Sequence, residues 1–301
     1  MIVSASYKTD IPAFYGEWFL NRLRTGYCKM INPYNRQVVR VPLTRDAVDG
    51  FVFWTKNLGP FLPALEAVRE LGYPFVVQYT INAYPRTLEF SVTDAARSIQ
   101  HMRWLRERFG AHAAVWRYDP IVFTSEMDAE FHERNFAALA SELEGSTDEV
   151  VASFAQIYRK TERNMNVAAR EFGFTWEDPG DDVKRQLASR LAESARRRGM
   201  QLNLCAQPQY AVCGAGEARC ISGSRLARVS GAPVESIRKG NRPDCACDAS
   251  RDIGDYDTCP HGCVYCYAVR SRTLARRKYG QHDPESEFLF EADDTNQVRW
   301  S

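Results

Sequence analysis

The sequence predicts an α/β fold of the TIM-like (β/α) barrel type, either partial or full, with a Cys-rich C-terminal segment. Three observations support this prediction. Short apolar runs rich in β-branched and aromatic residues recur along the first two thirds of the chain, stretches with helical spacing separate them, and glycines follow several of these stretches. This alternation is typical of a parallel sheet covered by helices, and a doubly wound open sheet would produce the same pattern.

The pattern places strands and helices in alternation. The predicted strands span residues 2–6, 51–55, 75–80, 113–118, 149–154 and 201–205. The predicted helices span residues 13–24, 62–71, 94–109, 128–143 and 183–198, and a basic helix is predicted at 268–279. Residues 26–42 are irregular enough to hold an extra hairpin. No Gly-rich phosphate loop follows any predicted strand, which disfavours a nucleotide-binding open sheet.

Length and composition limit the class of protein. The 301 residues suit one α/β barrel or two domains, and we expect a barrel core at 1–205, a Cys-rich segment at 206–258 and a closing segment at 259–301. Hydrophobic residues make up 45% and charged residues 26%, which excludes disordered and fibrous classes. The net charge of +1 favours neither nucleic acid nor an acidic membrane surface as a partner. Because neither a basic leader nor an apolar run near the roughly 18 residues of a spanning helix is visible, we expect a cytoplasmic protein without a membrane partner.

Cysteine is the unusual feature of the composition. Eight of the nine cysteines lie between residues 205 and 266, and Cys28 stands apart as an expected buried thiol. An odd number of cysteines without an export signal argues against a disulfide framework. It favours metal ligands or catalytic thiols instead.

Three of these cysteines form a compact motif. Cys259, Cys263 and Cys266 have C-x3-C-x2-C spacing, and three thiolates on one short loop can hold three irons of a [4Fe–4S] cluster while the fourth iron stays open. A structural zinc site is the alternative, and it needs a fourth ligand. The candidates for that ligand are His261, Cys245 and Cys247. Because zinc sites usually contain paired C-x2-C spacings and only one is present, we favour the cluster.

Polar side chains follow several predicted strands at their carboxyl ends, where α/β barrels carry their active sites. These candidates are Ser4, Ser6, Thr55, Lys56, Thr80, Asn82, Arg117 and Asp119. Each has an ordinary structural explanation as well, because Asp119 before Pro120, for example, is typical of a turn. Since so many strands end in this way, we expect a common site at this edge of the barrel.

The cysteine motif, with Tyr265 before its last cysteine, resembles that of the radical S-adenosylmethionine (SAM) superfamily. The run 259–268 is most similar to the branch that includes spore photoproduct lyase. The chain as a whole resembles a bacterial family of uncharacterised radical-SAM-like proteins that carry this motif near the C-terminus. That resemblance covers nearly the whole chain and rests on residues 4–15, 53–57, 116–121 and 252–256 together with Cys245 and Cys247.

The chain departs from typical radical SAM enzymes in the position of the motif, which they carry after the first strand. A circular permutation that moves the cluster loop and its helix to the end of the chain would explain this, since the first and last strands of a barrel are neighbours. Within the bacterial family, the positions of Tyr7 and Lys8 more often hold two arginines, and that of Ser222 more often holds an Asp. These differences indicate altered substrate contacts.

The resemblance implies a mechanism and a set of roles. Cys259, Cys263 and Cys266 hold a [4Fe–4S] cluster whose open iron binds SAM. One electron, supplied by a donor such as flavodoxin or ferredoxin, cleaves SAM to methionine and a 5′-deoxyadenosyl radical, which abstracts hydrogen from a small-molecule substrate. The implied catalytic residues are Arg117, whose planar fork fits a carboxylate, Lys56 and Asp119. The implied cofactor-binding residues are Tyr265, Ser4, Ser6, Thr55, Thr80 and Asn82.

The remaining cysteines predict a second, auxiliary Fe–S cluster. Its expected ligands are Cys205, Cys220, Cys245 and Cys247, with Cys213 in reserve. In an extended chain Cys245 and Cys247 would point to one face, as two ligands of the same cluster require. A zinc site or free buried thiols are the alternatives. An auxiliary cluster would carry electrons, bind substrate or donate sulfur to it.

We therefore expect a radical SAM enzyme that acts on a small molecule. Sulfur insertion is one option, for example in nucleoside or natural-product biosynthesis, and the choice between lyase, transferase and sulfurtransferase stays open. One alternative is a nucleic-acid repair or modification lyase, which the net charge of +1 disfavours. The other is a non-catalytic zinc-binding protein.

Overall fold

The structure, a computed structural model, describes residues 1–32, 35–211 and 214–291. Its strands are β1 (Ile2–Ala5), β2 (Tyr27–Ile31), β3 (Val38–Pro42), β4 (Gly50–Thr55), β5 (Phe75–Thr80), β6 (Ala114–Ile121), β7 (Phe123–Thr124), β8 (Glu149–Phe154), β9 (Trp176–Glu177), β10 (Gln201–Leu204), β11 (Ala215–Glu217) and β12 (Ser250–Asp252). Its α-helices are α1 (Ile11–Phe14), α2 (Gly16–Thr25), α3 (Leu62–Glu70), α4 (Ala95–Phe109), α5 (Ala129–Glu142), α6 (Arg159–Phe172), α7 (Asp181–Arg197), α8 (Gly223–Ser230) and α9 (Arg272–Gly280). Short 3₁₀ turns lie at Gly59–Phe61 and Pro208–Tyr210.

Eight of the described strands form one parallel sheet with the order β12–β1–β4–β5–β6–β8–β10–β11. Two antiparallel pairs lie outside it, β2 with β3 and β7 with β9. Within the described ranges no hydrogen-bonded pairing joins β11 to β12, so the sheet has two free edges. The predicted parallel α/β class is confirmed, and the sheet is compatible with a partial (β/α) barrel.

Alternate residues of the strands pack into different cores. Phe51 and Phe53 of β4 each contact Phe19 of α2, with ring centroids 5.3 Å apart in both pairs. Val52 between them belongs to a smaller core that also contains Leu226 of α8. Burial on both faces explains why these strands are almost continuously apolar, as parallel strands usually are.

The first and last strands in the described part of the chain, β1 and β12, pair with each other. Strand β1 lies between β4 and β12, with Ser4 opposite Asp252 of β12. The hydroxyls of Ser4 and Ser6 donate to the Asp252 carboxylate at 2.9 and 2.8 Å, and the backbone N–H of Tyr7 donates to it at 3.0 Å. Because the strands are parallel, the loop after β12 emerges at the same edge of the sheet as the loops after β1 and β4.

The predicted elements agree with the structure in part. All six predicted strands are present, and the hairpin expected within 26–42 is β2 and β3. Helix α6 was not predicted, because only Thr161, Met165 and Ala168 of its 14 residues are buried and its apolar stripe is narrow. The Cys-rich segment 206–258 contains β11, α8 and β12. No helix in the described part of the chain combines the length and the apolar character needed to cross a membrane.

The predicted basic helix at 268–279 begins later than expected, at Arg272. The hydroxyl of Ser271 accepts the backbone N–H of Leu274 and so caps the first turn. Residues 268–271 instead extend the cysteine loop, where the carbonyl of Ala268 accepts the N–H of Asp257 at 3.0 Å.

Arg225 joins α8 to the amino-terminal edge of the sheet. Its side chain is 3% exposed, and its guanidinium lies 2.5 Å from the Asp148 carboxylate and 2.8 Å from that of Glu149. It also donates to the carbonyls of His112 and Ala114, at 3.0 Å each. One buried cation therefore satisfies two carboxylates and two carbonyl groups.

We predict that Arg225→Met lowers the free energy of unfolding by about 3–5 kcal/mol, because it leaves buried acceptors without their donor. Urea denaturation measures this loss. The control is Arg238→Met, since the Arg238 pair with Glu217 is exposed and such pairs contribute less than about 1 kcal/mol. Equal losses of unfolding free energy in the two variants would show that Arg225 contributes no more to stability than an exposed arginine does.

His132 of α5 is fully buried. Its Nδ1 lies 2.9 Å from the Tyr118 hydroxyl and its Nε2 lies 3.0 Å from the carbonyl oxygen of Val122, as expected for a neutral ring that accepts at Nδ1 and donates at Nε2. Burial lowers the pKa of His132 from 6.5 to about 4. The folded state therefore binds this proton more weakly than the unfolded chain does.

We predict that the stability contributed by neutral His132 is complete above about pH 6.5 and decreases as the pH falls towards 4. In urea denaturation, wild type should lose more free energy of unfolding between pH 7 and pH 5 than His132→Gln, which cannot titrate. An NMR titration that shows His132 protonated in the folded protein at pH 6 would contradict this prediction.

Candidate functional site

The loop after β12 carries the three cysteines of the motif. Cys259, Cys263 and Cys266 are half-buried within it. Burial raises the pKa of all three thiols, and the charges of Asp10 and of the other two thiols raise that of Cys259 further. The three thiols therefore lie in surroundings that disfavour a negative charge unless a cation compensates for it.

Two contacts fix the conformation of this loop. The ring of His261 lies between the Asp10 carboxylate, 2.8 Å from Nε2, and the carbonyl oxygen of Ser91, 3.2 Å from Nδ1. Gly262 has a φ angle of 77°, and a Cβ there would lie 2.8 Å from Cδ of Arg272, so the position requires glycine. Because both of its ring nitrogens are engaged, His261 is poorly placed to be the fourth ligand of a zinc ion.

A buried polar cluster lies beside Cys263. Lys56 Nζ is 2.8 Å from Glu89 Oε1 and 3.1 Å from the Tyr265 hydroxyl, which in turn donates to Glu89. Asn82 Nδ2 contacts the same Glu89 oxygen at 3.2 Å and the Tyr265 hydroxyl at 3.3 Å. Burial acts to lower the pKa of Lys56, but the charges of Glu89 and Cys263 outweigh it and the pKa is raised. Lys56 therefore remains an ammonium beside a cysteine of the motif.

A second polar cluster surrounds Arg117 at the end of β6. Its guanidinium lies 2.7 Å from the Asp119 carboxylate, 3.2 Å from the Gln78 side-chain oxygen and 3.1 Å from Sγ of Cys220. Its Cζ lies 4.9 Å from the centre of the Trp54 ring. Burial acts to lower the pKa of Arg117, yet Asp119 raises it well above its usual value. Arg117 is thus a permanent buried cation that connects a carboxylate with a second group of cysteines.

Asn82 connects the two clusters. Its Oδ1 accepts the backbone N–H of Asp119 at 3.0 Å, and its Nδ2 lies 3.2 Å from the Asp119 carbonyl oxygen. The Asp119 carboxylate also accepts a hydrogen bond from the Ser153 hydroxyl. We refer to Lys56, Glu89, Asn82, Tyr265, Arg117 and Asp119 as the polar layer. It extends from Cys263 on one side to Cys220 on the other.

The second group of cysteines comprises Cys205, Cys220, Cys245 and Cys247. The Sγ atoms of Cys205 and Cys220 are 3.7 Å apart. The backbone N–H of Ile221 donates to Sγ of Cys247 at 3.4 Å. The neighbouring Cys247 thiol lowers the pKa of Cys245 to about 6. The structure therefore places Cys205 and Cys220 in contact, with Cys247 beside Ile221, the residue that follows Cys220. Cys213 lies outside the described residues.

The hydroxyl groups expected to contact a cofactor have different surroundings. Those of Ser4 and Ser6 donate to Asp252, and that of Thr55 accepts the backbone N–H of Asn57 at 2.9 Å. Thr80 instead lines a cavity of about 230 Å³ at the end of β5. The polar side chains around this cavity are Thr80, Asn82, Arg86, Glu89, Thr93, Asp94 and Ser98. The cavity therefore reaches the polar layer at Asn82 and Glu89.

Sequence reasoning missed three residues of the site. Glu89 lies in an irregular stretch and meets Tyr265, 176 positions away, only in the folded chain. Arg242 donates to Sγ of Cys205 at 3.6 Å from a segment without periodicity. Asp252 stands in a stretch that carries the family resemblance, which was the one available signal for it. By contrast, the expectation that Cys28 is a buried thiol is confirmed, and burial raises its pKa to about 12.

Comparison with known proteins assigns a family. The family model described as "Domain of unknown function (DUF1848)" matches residues 2–268, which include both groups of cysteines. The chain belongs to the DUF1848 family. No curated protein matches it. A solved structure described as "Crystal structure of D-hydantoinase" aligns with 68% of this DUF1848 chain and 41% of its own length, at 11% identity and a TM-score of 0.29.

We predict that Lys56 and Glu89 are strongly coupled in a double-mutant cycle. Glu89 is 3% exposed, so Lys56→Met alone leaves a buried carboxylate unpaired and Glu89→Gln alone leaves a buried ammonium unpaired. Each substitution should lower the free energy of unfolding by about 3 kcal/mol, and the double variant should lose less than the sum. The control cycle uses Arg134 and Glu130, an exposed pair whose coupling should stay below about 0.5 kcal/mol in urea denaturation. Additive losses at Lys56 and Glu89 would contradict the proposed pairing.

Proposed function

We propose that this DUF1848 protein is a radical SAM enzyme that cleaves SAM reductively and abstracts hydrogen from a small-molecule substrate. The observation that carries the proposal is the position of Cys259, Cys263 and Cys266. They share one loop, at the carboxyl edge of a parallel sheet, directly after the strand that pairs with β1. This edge is where α/β barrels place their reactive groups.

The donor atoms fit a [4Fe–4S] cluster. Three thiolates with C-x3-C-x2-C spacing suit three irons of one cluster, each cysteine binding a different iron. Among the described residues no three His, Cys, Asp or Glu side chains are preassembled around the position of a single metal ion. The proposal therefore rests on the type, number and loop position of the donors. When bound, the cluster and SAM would supply the 5′-deoxyadenosyl radical that abstracts hydrogen.

The order of the elements supports a circularly permuted chain. Strand β12, the cysteine loop and helix α9 form one strand–loop–helix unit at the end of the chain. In the sheet this unit stands before β1, and β4, β5, β6, β8 and β10 follow β1 in chain order. Moving the unit to the N-terminus would give sequential order across these strands, with the cysteine motif after the first strand.

The polar layer prepares the region between the two groups of cysteines. Lys56 places a cation beside Cys263, where thiolate ligands would bring negative charge. Glu89 and Asn82 hold Lys56 and the Tyr265 side chain in position. Thr80 and Asn82, which line the cavity, remain candidates for contacts with SAM. The hydroxyls of Ser4, Ser6 and Thr55 already form hydrogen bonds within the protein. They are candidates for SAM binding only if SAM replaces those partners.

We further propose an auxiliary Fe–S cluster on Cys205, Cys220, Cys245 and Cys247. Cys205 and Cys220 are in contact, and the guanidinium groups of Arg117 and Arg242 contact Cys220 and Cys205 respectively. Hydrogen bonds to sulfur and nearby cations raise the reduction potential of Fe–S clusters. A cluster held by all four cysteines would favour electron transfer. A cluster held by three cysteines, with its fourth iron open to substrate, would favour substrate binding or sulfur donation.

Two other functions remain as alternatives. A nucleic-acid lyase would need a cationic binding surface, which the chain offers only locally near α9. A zinc-binding protein would use the same thiols without turning over SAM. Metal analysis separates the zinc alternative from the enzyme, and product analysis with reductant and SAM tests the chemistry itself.

We predict about eight iron and eight sulfide per chain after anaerobic purification, four for each cluster. The variant with Cys259, Cys263 and Cys266 all changed to Ala should lose about half of the iron and release no 5′-deoxyadenosine from SAM. Substituting the second group of cysteines in the same way should also remove about half of the iron but leave SAM cleavage measurable. Cys28→Ala is the matched control, since Cys28 lies apart from both groups and is fully buried.

The outcomes of this metal analysis distinguish the auxiliary cluster, the radical SAM function and the zinc alternative from one another. About four iron and four sulfide, retained when the second group is removed, would reject the auxiliary cluster and keep the SAM chemistry. Zinc without iron in protein reconstituted with iron and sulfide would reject the radical SAM function. Iron without reductive cleavage of SAM would reject the enzyme while keeping the clusters.

A further inference from the structure

The surface beside the cysteine loop is strongly basic, although the whole chain has nearly equal numbers of acidic and basic residues. It is formed by the first turn of α6, residues 159–163, and by residues 270–278, which include most of α9. These two segments contain eight cationic side chains and one carboxylate, Glu162. We call this the basic face. Its cations are Arg159, Lys160, Arg163, Arg270, Arg272, Arg276, Arg277 and Lys278.

Most cations of the basic face have no ion-pair partner among the described residues. In the described part of the chain only Arg270 of this set forms an ion pair, with Asp257 at 2.7 Å. Of the described acidic residues after α9, Glu285 accepts from the Asn21 side chain and Glu287 pairs with Lys29. Several surface arginines of α7, in contrast, have carboxylate partners. Such a concentration of unpaired charge costs stability, which indicates a use for it.

Contacts place the basic face directly over the cysteine loop. Thr161 Oγ1 donates to the Tyr265 carbonyl at 3.4 Å, and Arg163 donates to the carbonyl of Arg270. Tyr267, the residue after Cys266, is 44% exposed. The last cysteine of the motif is therefore separated from solvent at this face by little more than the loop itself.

We propose that the basic face is the docking surface for an acidic one-electron carrier protein of the flavodoxin or ferredoxin type. This inference rests on the proposed function, because reductive cleavage of SAM consumes one electron, which a separate donor must supply. The reduced carrier would lose one electron and the cluster on Cys259, Cys263 and Cys266 would gain it, with no bond formed between the proteins. Complementary charge is what steers such short-lived complexes.

The test compares two double charge reversals in the full chain. Arg159→Glu with Arg163→Glu changes the basic face, and the matched control is Arg106→Glu with Arg196→Glu. The control residues are exposed, have no ion pair among the described residues, and lie near the ends of α4 and α7, which lead into the starts of β6 and β10 at the opposite edge of the sheet. Both variants change the net charge equally, so a difference between them reports position alone.

The probe is flavodoxin, and its binding is measured by calorimetry at low salt with protein purified without oxygen. We expect the wild type and the control variant to bind with similar affinity, and the basic-face variant to bind at least about tenfold more weakly. Wild-type binding should weaken as the ionic strength rises from 0.01 to 0.15 M, because the Debye length shrinks from about 30 to about 8 Å. Reduction of the iron by flavodoxin should slow in the basic-face variant, while reduction by dithionite should not.

Three results would overturn the docking surface. Equal binding by the two double variants would do so, as would a lack of flavodoxin binding by the wild type at low salt. Tighter, salt-dependent binding of a single-stranded DNA oligonucleotide that the basic-face variant alone loses would assign the surface to nucleic acid instead. Because binding is measured without turnover, these results stay distinct from failure of the proposed function, which appears as absent iron or absent SAM cleavage.

Discussion

The parallel pairing of β12 with β1 is the constraint on which the site depends. It joins a strand of the C-terminal segment to the first strand, and it fixes where the cysteine loop starts. The Asp252 carboxylate secures this pairing by accepting from Ser4, Ser6 and the N–H of Tyr7, and Lys8 Nζ lies 3.5 Å from it. Since Cys259 follows Asp252 by only seven positions, these contacts also determine how the loop faces the neighbouring strand end at Lys56.

The polar layer contains two buried ion pairs, and burying them costs desolvation free energy. Lys56 with Glu89 and Arg117 with Asp119 both lie at the carboxyl edge of the sheet, each beside a different group of cysteines. Buried ion pairs seldom stabilise a fold relative to apolar packing, because desolvation offsets their attraction. Under the proposed function, their presence on both sides of Asn82 is explained by a need for fixed cations next to the cysteines that would bind the clusters. The basic face extends the same arrangement of charge to the surface.

The sequence predicted the fold better than it predicted the contacts within the site. Strands such as β4 and β5 were predictable because burial on both faces demands continuous apolar residues. Helix α6 was missed because most of its residues are polar and only three of 14 are buried, although its apolar residues do lie on one face. The cysteine motif was visible because its spacing is local. Contacts between Arg117 and Cys220, 103 positions apart, or between Glu89 and Tyr265 exist only through the tertiary fold, and no local pattern encodes them.

The most direct test of the proposed radical SAM chemistry is electron paramagnetic resonance of the reduced protein, with and without SAM. We predict two reduced-cluster signals, one of which changes when SAM is added. That signal should be absent from the variant in which Cys259, Cys263 and Cys266 are all Ala, while the other signal persists and does not respond to SAM. Spectra that contain iron–sulfur signals but are identical with and without SAM would contradict the central claim.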